Sequence, residues 1–449
     1  MAAIYYPELE KLLRTDNNNR NDQFLKKHDN FCIYPYIQLD IKTYPDGKIH
    51  GSPLCCSANG FDQSAVIELK SETLEKDFYV ESSFHEIRKN IRKNILPNNC
   101  IQQCPKNQKR TMRSTINDQY KQIIPFNLVV KNPKLVMINW KFGNHCNLAC
   151  RMCNSGSSSQ FNKILVATTL GEDKTSKDSV KWRLEKFNIG PIKEVEIVTA
   201  EDTTFKKLEK MLPELEHLKI SGGEPFVSYD FDRLLKSAIK TKDCKHIDLD
   251  ITTNGTKFIK EKLDLISKFN WLKFTISIDG TGAAYNYIRY PFKFDILRKR
   301  LEFLAEYLKE HGLDNRTEIT IVCMGMLYNL FEYAKLEKLY NDMVSDLDLK
   351  YSGFFMDPNL TGSFVMNKTT HQYHILNLKF VPSYLIAEAL EYYTDHKDES
   401  WYTTLQHVNE TQQDTAYQPL IKEYTNIFDG MHKQTYQNFL HPSIIKFLN

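Results

Sequence analysis

The amino-acid sequence predicts an α/β fold, a parallel sheet closed or partly closed as a barrel, and three observations lead there. Six short runs rich in β-branched and aromatic residues follow one another from about Lys134: LVMINWKF, HLKIS, HIDLDIT, LKFTISI, EITIVCM and YSGFFM. Longer segments with apolar residues at helical spacing separate them, and strands alternating with helices make a parallel sheet. Each run ends in a short loop carrying glycine or polar residues, and barrels of this type place their chemistry at the C-terminal ends of the strands.

Around that centre the chain divides into four expected stretches. Residues 1–30 read as a mobile lead-in, because Thr15 to Asp22 is polar and holds three consecutive asparagines. Residues 31–130 form a small cysteine-rich unit, 131–360 the barrel, and 361–449 a helical attachment with segments such as PSYLIAEALEYY and PLIKEYTNIF. A further run, EVEIVT at Glu194 to Thr199, has the composition of a strand in an insertion and no place in the barrel order.

The 449 residues exceed one ordinary core and suit two or three units. The formal net charge is +3, from 59 basic and 56 acidic residues, so no global field recruits nucleic acid or a membrane surface. No apolar run approaches the roughly 18 residues of a membrane span, and the start MAAIYYPELEKLL lacks the order of a signal peptide. The expectation is a soluble, cytoplasmic chain. Of its ten cysteines, eight lie between Cys32 and Cys153. In a reducing compartment such clustering points to metal ligation over disulfides.

The loop after the first barrel strand reads GNHCNLACRMC and places Cys146, Cys150 and Cys153 in a CxxxCxxC spacing. Chance alone would produce that spacing in roughly one such chain in two hundred. Cysteine thiolates hold iron-sulfur clusters, and a [4Fe-4S] cube has four irons, so three ligands leave one iron open. An open coordination position is the mark of a catalytic metal site. A zinc knuckle completed by His145 is the alternative use of the same thiolates.

CxxxCxxC after the first barrel strand, followed by SGGEP at Ser221 to Pro225, resembles the radical S-adenosylmethionine (SAM) superfamily, whose core is a partial (β/α)6 barrel of the TIM type. The resemblance implies an enzyme that cleaves SAM reductively at the cluster of Cys146, Cys150 and Cys153. It implies that Gly222, Gly223 and Glu224 meet the amino group of SAM, in keeping with close backbone approach at glycines and with a carboxylate pairing an ammonium. Met152 stands where the superfamily commonly has an aromatic residue. Thr253 and Asn254, in TTNGT, suit a ribose or form an ordinary turn. In SIDGTGAAYNYIRYP, Ser277 and Arg289 match residues that contact the ribose and carboxylate of SAM, and Asp279 either orients them or caps the turn with Gly280. Met326, in CMGML, offers an adenine contact or belongs to the core.

The N-terminal cysteines, Cys32 in FCIYPYIQLDI, the Cys55-Cys56 pair after PDGKIHGSPL, then Cys100 and Cys104, resemble an auxiliary-cluster module called a twitch domain. The tail TNIFDGMHKQTYQNFLHP resembles the C-terminal end of the same group. This implies an auxiliary [4Fe-4S] cluster on Cys32, Cys56, Cys100 and Cys104, Gly51 giving Cys56 the better spacing; the same four thiolates would also make a structural zinc site. Twitch-type domains are associated with modification of peptides or protein side chains, so a polypeptide substrate and a reductant such as flavodoxin or ferredoxin are the expected partners. The basic stretch Arg88, Lys89, Arg92, Lys93, Lys106, Lys109, Arg110 and Arg113 would favour nucleic acid instead, or steer an acidic peptide, or form a solvated face. It lacks the interleaved aromatics of a stacking platform. A non-catalytic metal-binding scaffold is the reading of another class, and intact Glu224 and Arg289 speak against it.

Overall fold

The computed structural model describes residues 17–55, 66–97, 100–101, 104, 112–121, 124–170, 179–185, 187, 193–240, 244–349, 352–358, 360, 374–411 and 415–449. The six strand-like runs become β4 (Met137–Lys141), β5 (His217–Ser221), β6 (Asp248–Thr253), β7 (Leu272–Ser277), β8 (Thr317–Met324) and β9 (Ser352–Asp357), in sequence order and all parallel. Helices cross between them, among them Ser159–Thr169, Tyr229–Lys240, Phe294–Glu310 and Tyr333–Val344.

The cysteine-rich region does not stand apart from this sheet. Its strands β1 (Gln38–Thr43), β2 (Ile49–Ser52) and β3 (Ile67–Glu68) extend the sheet, β1 running parallel to β4 and antiparallel to β2, so that nine strands follow the order β3-β2-β1-β4-β5-β6-β7-β8-β9. A small second core around Phe31, Tyr36, Ile91, Ile116 and Phe126 lies beneath it.

Period-two alternation gives the sheet two unlike faces. Leu39, Ile138, Leu218 and Leu249 neighbour one another across the strands, as do Ile41, Trp140, Ile220, Ile251 and Phe274, and all are buried in the main core. The opposite face is polar: Asp40, Asn139, Lys219, Asp250, Lys273 and Glu318 form one transverse row. Within it Lys219 pairs with Asp250 at 3.3 Å and Lys273 pairs with Glu318.

Two expectations need correction. Asn17–Lys27 is a helix, not a lead-in without structure. Buried Asn21 donates to the carbonyls of Lys121 and Ile124 at 2.6 and 2.8 Å and accepts from the Phe126 amide at 2.9 Å, so one polar side chain anchors the segment. The EVEIVT run forms no strand. Its backbone groups are taken by asparagine side chains: Asn144 accepts from Val198 N and donates to Glu196 O, and Asn162 does the same with Val195 N and Lys193 O.

The C-terminal stretch is helical, with Ser383–Tyr392, Ser400–Glu410, Gln418–His432 and Pro442–Leu448 buried into the main core. Among the described residues no helix is long and apolar enough to cross a membrane. Gln418–His432 lies against Ser159–Thr169 through Phe428 and Phe161, whose rings are 5.8 Å apart. It also supplies Asp429, whose carboxylate accepts from Arg151 Nη2 and Tyr287 OH at 2.7 Å and from Tyr436 N at 2.8 Å. Asp429→Ala strips a fully buried guanidinium of its counter-ion, so denaturant titration is expected to show a loss of about 3–5 kcal/mol. A loss within about 0.5 kcal/mol, the range of ordinary surface substitutions, would show that this pair does not hold the tail.

Candidate functional site

The CxxxCxxC loop leaves β4 and is fixed by its own short polar residues. Ser158 caps the helix that follows, accepting from Phe161 N at 3.0 Å, and donates back to Leu148 O. Ser159 Oγ meets both the amide and the carbonyl of Cys146 at 3.2 Å. On its other side the loop pairs with the chain after β7: Ala149 N donates to Tyr290 O and Arg151 N to Ile288 O. Cys146, Cys150 and Cys153 thereby line one cavity of about 230 Å³. Burial pushes all three thiols above their ordinary range, Cys153 to about 12. Their anions therefore lack solvation and fit the cationic irons of a cluster as partners.

The SGGEP loop closes over Cys146. Gly223 has φ +55°, and a Cβ there would lie 2.3 Å from His145 O, so no other residue fits. His145 contributes that carbonyl, which accepts from Glu224 N at 2.7 Å, and does not line the cavity. Glu224 is fully buried, and its carboxylate accepts from Phe226 N, Thr253 Oγ1 and Asn254 N at 3.0, 2.7 and 2.6 Å. It braces the TTNGT turn from behind. Asn254 in turn donates to Asn147 Oδ1 at 3.0 Å and approaches Cys146 Sγ at 3.9 Å.

Arg289 reaches the cavity with Asp279 behind it. Asp279, fully buried, takes Arg289 Nε at 2.6 Å and Met324 N at 2.8 Å, and thus orients the arginine instead of capping the turn. Burial opposes the cation, but Asp279, with Cys150 and Tyr285, outweighs it and holds the guanidinium charged.

Met152, Gly222, Gly223, Thr253, Asn254, Ser277 and Arg289 line the cavity with the cysteines. Glu224 and Asp279 do not; they stand behind lining residues. Met326 also fails to reach it, being fully buried in the core, and Met324 lines the wall in its place. Leu148, Ser157 and Thr252 complete the lining. Strand parity was the available signal for Met324, which continues the face of Glu318 and Thr320, whereas Met326 lies beyond the strand end.

The second cysteine group also converges. Cys32, Cys55, Cys100 and Cys104 line a small cavity with Leu54, Ile91 and Arg113. Cys56, the expected fourth ligand, lies outside the described residues, and Cys55 occupies the shared site. Burial raises Cys32 and Cys100, the latter to about 11, and neighbouring sulfurs add to it. Among the described residues no three His, Cys, Asp or Glu side chains close on a single metal ion. Cluster thiolates each bind a different iron and stand wider. Cys32 precedes β1 and Cys55 follows β2 at its start, whereas Cys146 follows the end of β4. The two groups therefore lie at opposite ends of the strands, about 20 Å apart along six residues.

The basic stretch is split: Lys89, Arg92 and Lys93 are exposed, but its two ends are not. Arg88 is buried, donating to Pro35 O and Phe78 O at 2.7 and 2.8 Å, and Arg113 lines the second cavity. Lys106, Lys109 and Arg110 lie outside the described residues.

Residues 140–336 match the Radical SAM superfamily. No curated protein matches the chain. Three solved structures are similar at low identity. SuiB from Streptococcus suis bound to precursor peptide SuiA has 15% identity and TM-score 0.35, covering 80% of this chain and 70% of that one. The radical S-adenosylmethionine methyltransferase TsrM from Kitasatospora setae has 14% and 0.32, covering 51% and 38%. AnSMEcpe with bound AdoMet has 16% and 0.33, covering 64% and 65%. Residues 140–336, which carry three converging thiols at the end of the first barrel strand, are a radical SAM superfamily domain.

Proposed function

We propose that this enzyme binds SAM in the cavity beside Cys146, Cys150 and Cys153 and uses it to abstract a hydrogen atom from a peptide or protein side chain. The observation that carries the reading is the cavity itself: three thiols on one wall, and Ser277, Asn254 and the charged Arg289 on the others. Those thiols would hold a [4Fe-4S] cluster, and the chemistry it would supply, once reduced by a flavodoxin- or ferredoxin-type donor, is one electron for cleavage of the SAM sulfonium into methionine and a 5'-deoxyadenosyl radical. The chain's own residues bind and aim. Arg289, oriented by Asp279, offers a planar fork to the carboxylate of SAM, and Asn254 and Ser277 offer hydrogen bonds to its ribose. Glu224 holds Asn254 in place, and the backbone at Gly222 and Gly223 gives close approach for the amino group.

Cys32, Cys55, Cys100 and Cys104 would hold an auxiliary cluster, and four thiolates leave it no open iron. A polypeptide substrate is favoured over nucleic acid because Arg88 and Arg113, the ends of the basic stretch, are buried and unavailable to phosphates. A cytoplasmic setting suits two oxygen-sensitive thiolate sites.

Anaerobic reconstitution with SAM and dithionite is expected to yield 5'-deoxyadenosine, and none after Cys146, Cys150 and Cys153 are changed to Ala. Iron should approach about eight per chain, falling by half in that variant. Zinc bound at the N-terminal group would refute the auxiliary cluster, and a wild-type chain without 5'-deoxyadenosine would refute the enzyme's proposed chemistry.

Glu224→Ala is expected to keep the cluster absorbance and weaken SAM binding about ten- to a hundredfold, the worth of a charged hydrogen-bond set of about 1.5–3 kcal/mol. Equilibrium binding of SAM to the reconstituted variant checks this. Unchanged affinity would mean that the bracing of Asn254 by Glu224 does not shape the site.

A further inference from the structure

The polar face of the sheet carries a second feature that the SAM site does not use. Thr252, Ser277 and Met324 line the cavity from this face, so the cavity opens onto it. Following the register sideways from Thr252, the row continues through Ser221 to Lys141, then Lys42, then His50. Lys141 and Lys42 are register partners, and so are Lys42 and His50. Lys42 is exposed, and Lys141 and His50 are half-buried.

Further down the same face the cations are matched, Lys219 by Asp250 and Lys273 by Glu318. In the upper row they are not. Among the described residues no carboxylate lies within ion-pair distance of Lys42 or Lys141, and Glu68, at the outer end of the row, is engaged by Lys48 at 3.1 Å and Lys70 at 3.6 Å. Lys42 Nζ lies 5.1 Å over the ring of Tyr44 and has no carboxylate partner among the described residues, and desolvation together with the like charge of Lys141 pushes its ammonium below the ordinary range. Side-by-side like charges on neighbouring strands cost stability. A sheet that balances its lower row and leaves this one uncompensated holds it ready for an outside anion.

We infer that the Lys141–Lys42–His50 row binds carboxylate side chains of an acidic peptide segment and so sets which polypeptides are substrates. The inference rests on the function proposed above. Strand spacing puts Lys141 about 10 Å from Thr252 at the cavity and Lys42 about 15 Å away. An extended peptide covers those distances in about three to five residues. Its Asp or Glu residues therefore lie about that far from the modified position.

The test uses the full, iron-loaded chain and a fluorescein-labelled Glu/Ser dodecapeptide followed by anisotropy at about 50 mM salt. A Gln/Ser peptide of the same length and a labelled oligouridine serve as comparators. The Glu/Ser peptide should bind about tenfold tighter than the Gln/Ser peptide, and Lys42→Gln/Lys141→Gln should lose that advantage. Lys42→Arg/Lys141→Arg should keep it, which separates lost charge from a damaged fold. Lys299→Gln/Arg300→Gln, on the outer helix Phe294–Glu310, should also keep it. Equal binding of both peptides, no loss in the double Gln variant, or tighter binding of oligouridine lost in that variant would overturn the inference. Formation of 5'-deoxyadenosine by the wild-type chain in the same preparation reports on the proposed function alone, so the two can fail separately.

Discussion

Arg151 lies between Cys150 and Met152, in the middle of the loop that carries the three thiols, and its side chain is wholly removed from water. A charge so placed costs several kcal/mol unless every surrounding group answers it. Here the charge is met from two distant parts of the chain, although Nη1 has no hydrogen-bond partner among the described residues: Tyr287 O takes Nε, Asp429 and Gln434 take Nη2, and the ring of Tyr287 lies 3.4 Å beneath the guanidinium. Tyr424, on the same helix as Asp429, donates to the Arg151 carbonyl. The loop's position is therefore set by residues nearly 280 places away in sequence. The tail helix is part of the site's foundation, although none of its residues lines the cavity.

A second constraint follows from the two faces of the sheet. Helices cover the apolar face and fix the strands' curvature, which leaves the other face free of packing duties and open to charge. That freedom explains a strand such as β6, where Asp248, Asp250 and Thr252 alternate with Leu249 and Ile251. Carboxylates inside a barrel would be ruinous in a filled core; in a partial barrel with a polar lumen Asp250 pairs with Lys219 on the adjacent strand and Asp248 accepts from Asn270.

How much of this was legible in the sequence depends on whether the deciding contact is local. The six barrel strands were legible because period-two patterning and helical spacing are local signals, and the cysteine spacing marked the loop for the same reason. What failed was decided by partners far away. EVEIVT has strand composition, yet Asn144 and Asn162 claim its backbone. The asparagine run before Arg20 looks disordered until Asn21 finds the carbonyls of Lys121 and Ile124 a hundred residues on. Asp279 was legible as one of two things, an orienting group or a turn cap, but Glu224 was legible as important and not as a support, since the residue type shows that a carboxylate wants donors and not which donors reach it first. Cys55 and Cys56 differ by one step in a loop, below what spacing resolves.

The placement of the two cysteine groups constrains what each is able to do. Both belong to one sheet, joined through the β1–β4 pairing, but one group follows the ends of the strands and the other lies at their beginnings. Side chains at the cavity mouth and side chains at Cys32 cannot touch the same atom of a small target. On the function proposed above, a closed four-thiolate group at the far end would move electrons or hold the N-terminal core against the sheet, and the reacting C–H bond would lie at the Cys146 end. The lumen face, with its lysines balanced below and unbalanced above, runs between the two. A polypeptide lying on that face would have its anionic side chains drawn to the upper row and its reacting residue delivered to the cavity.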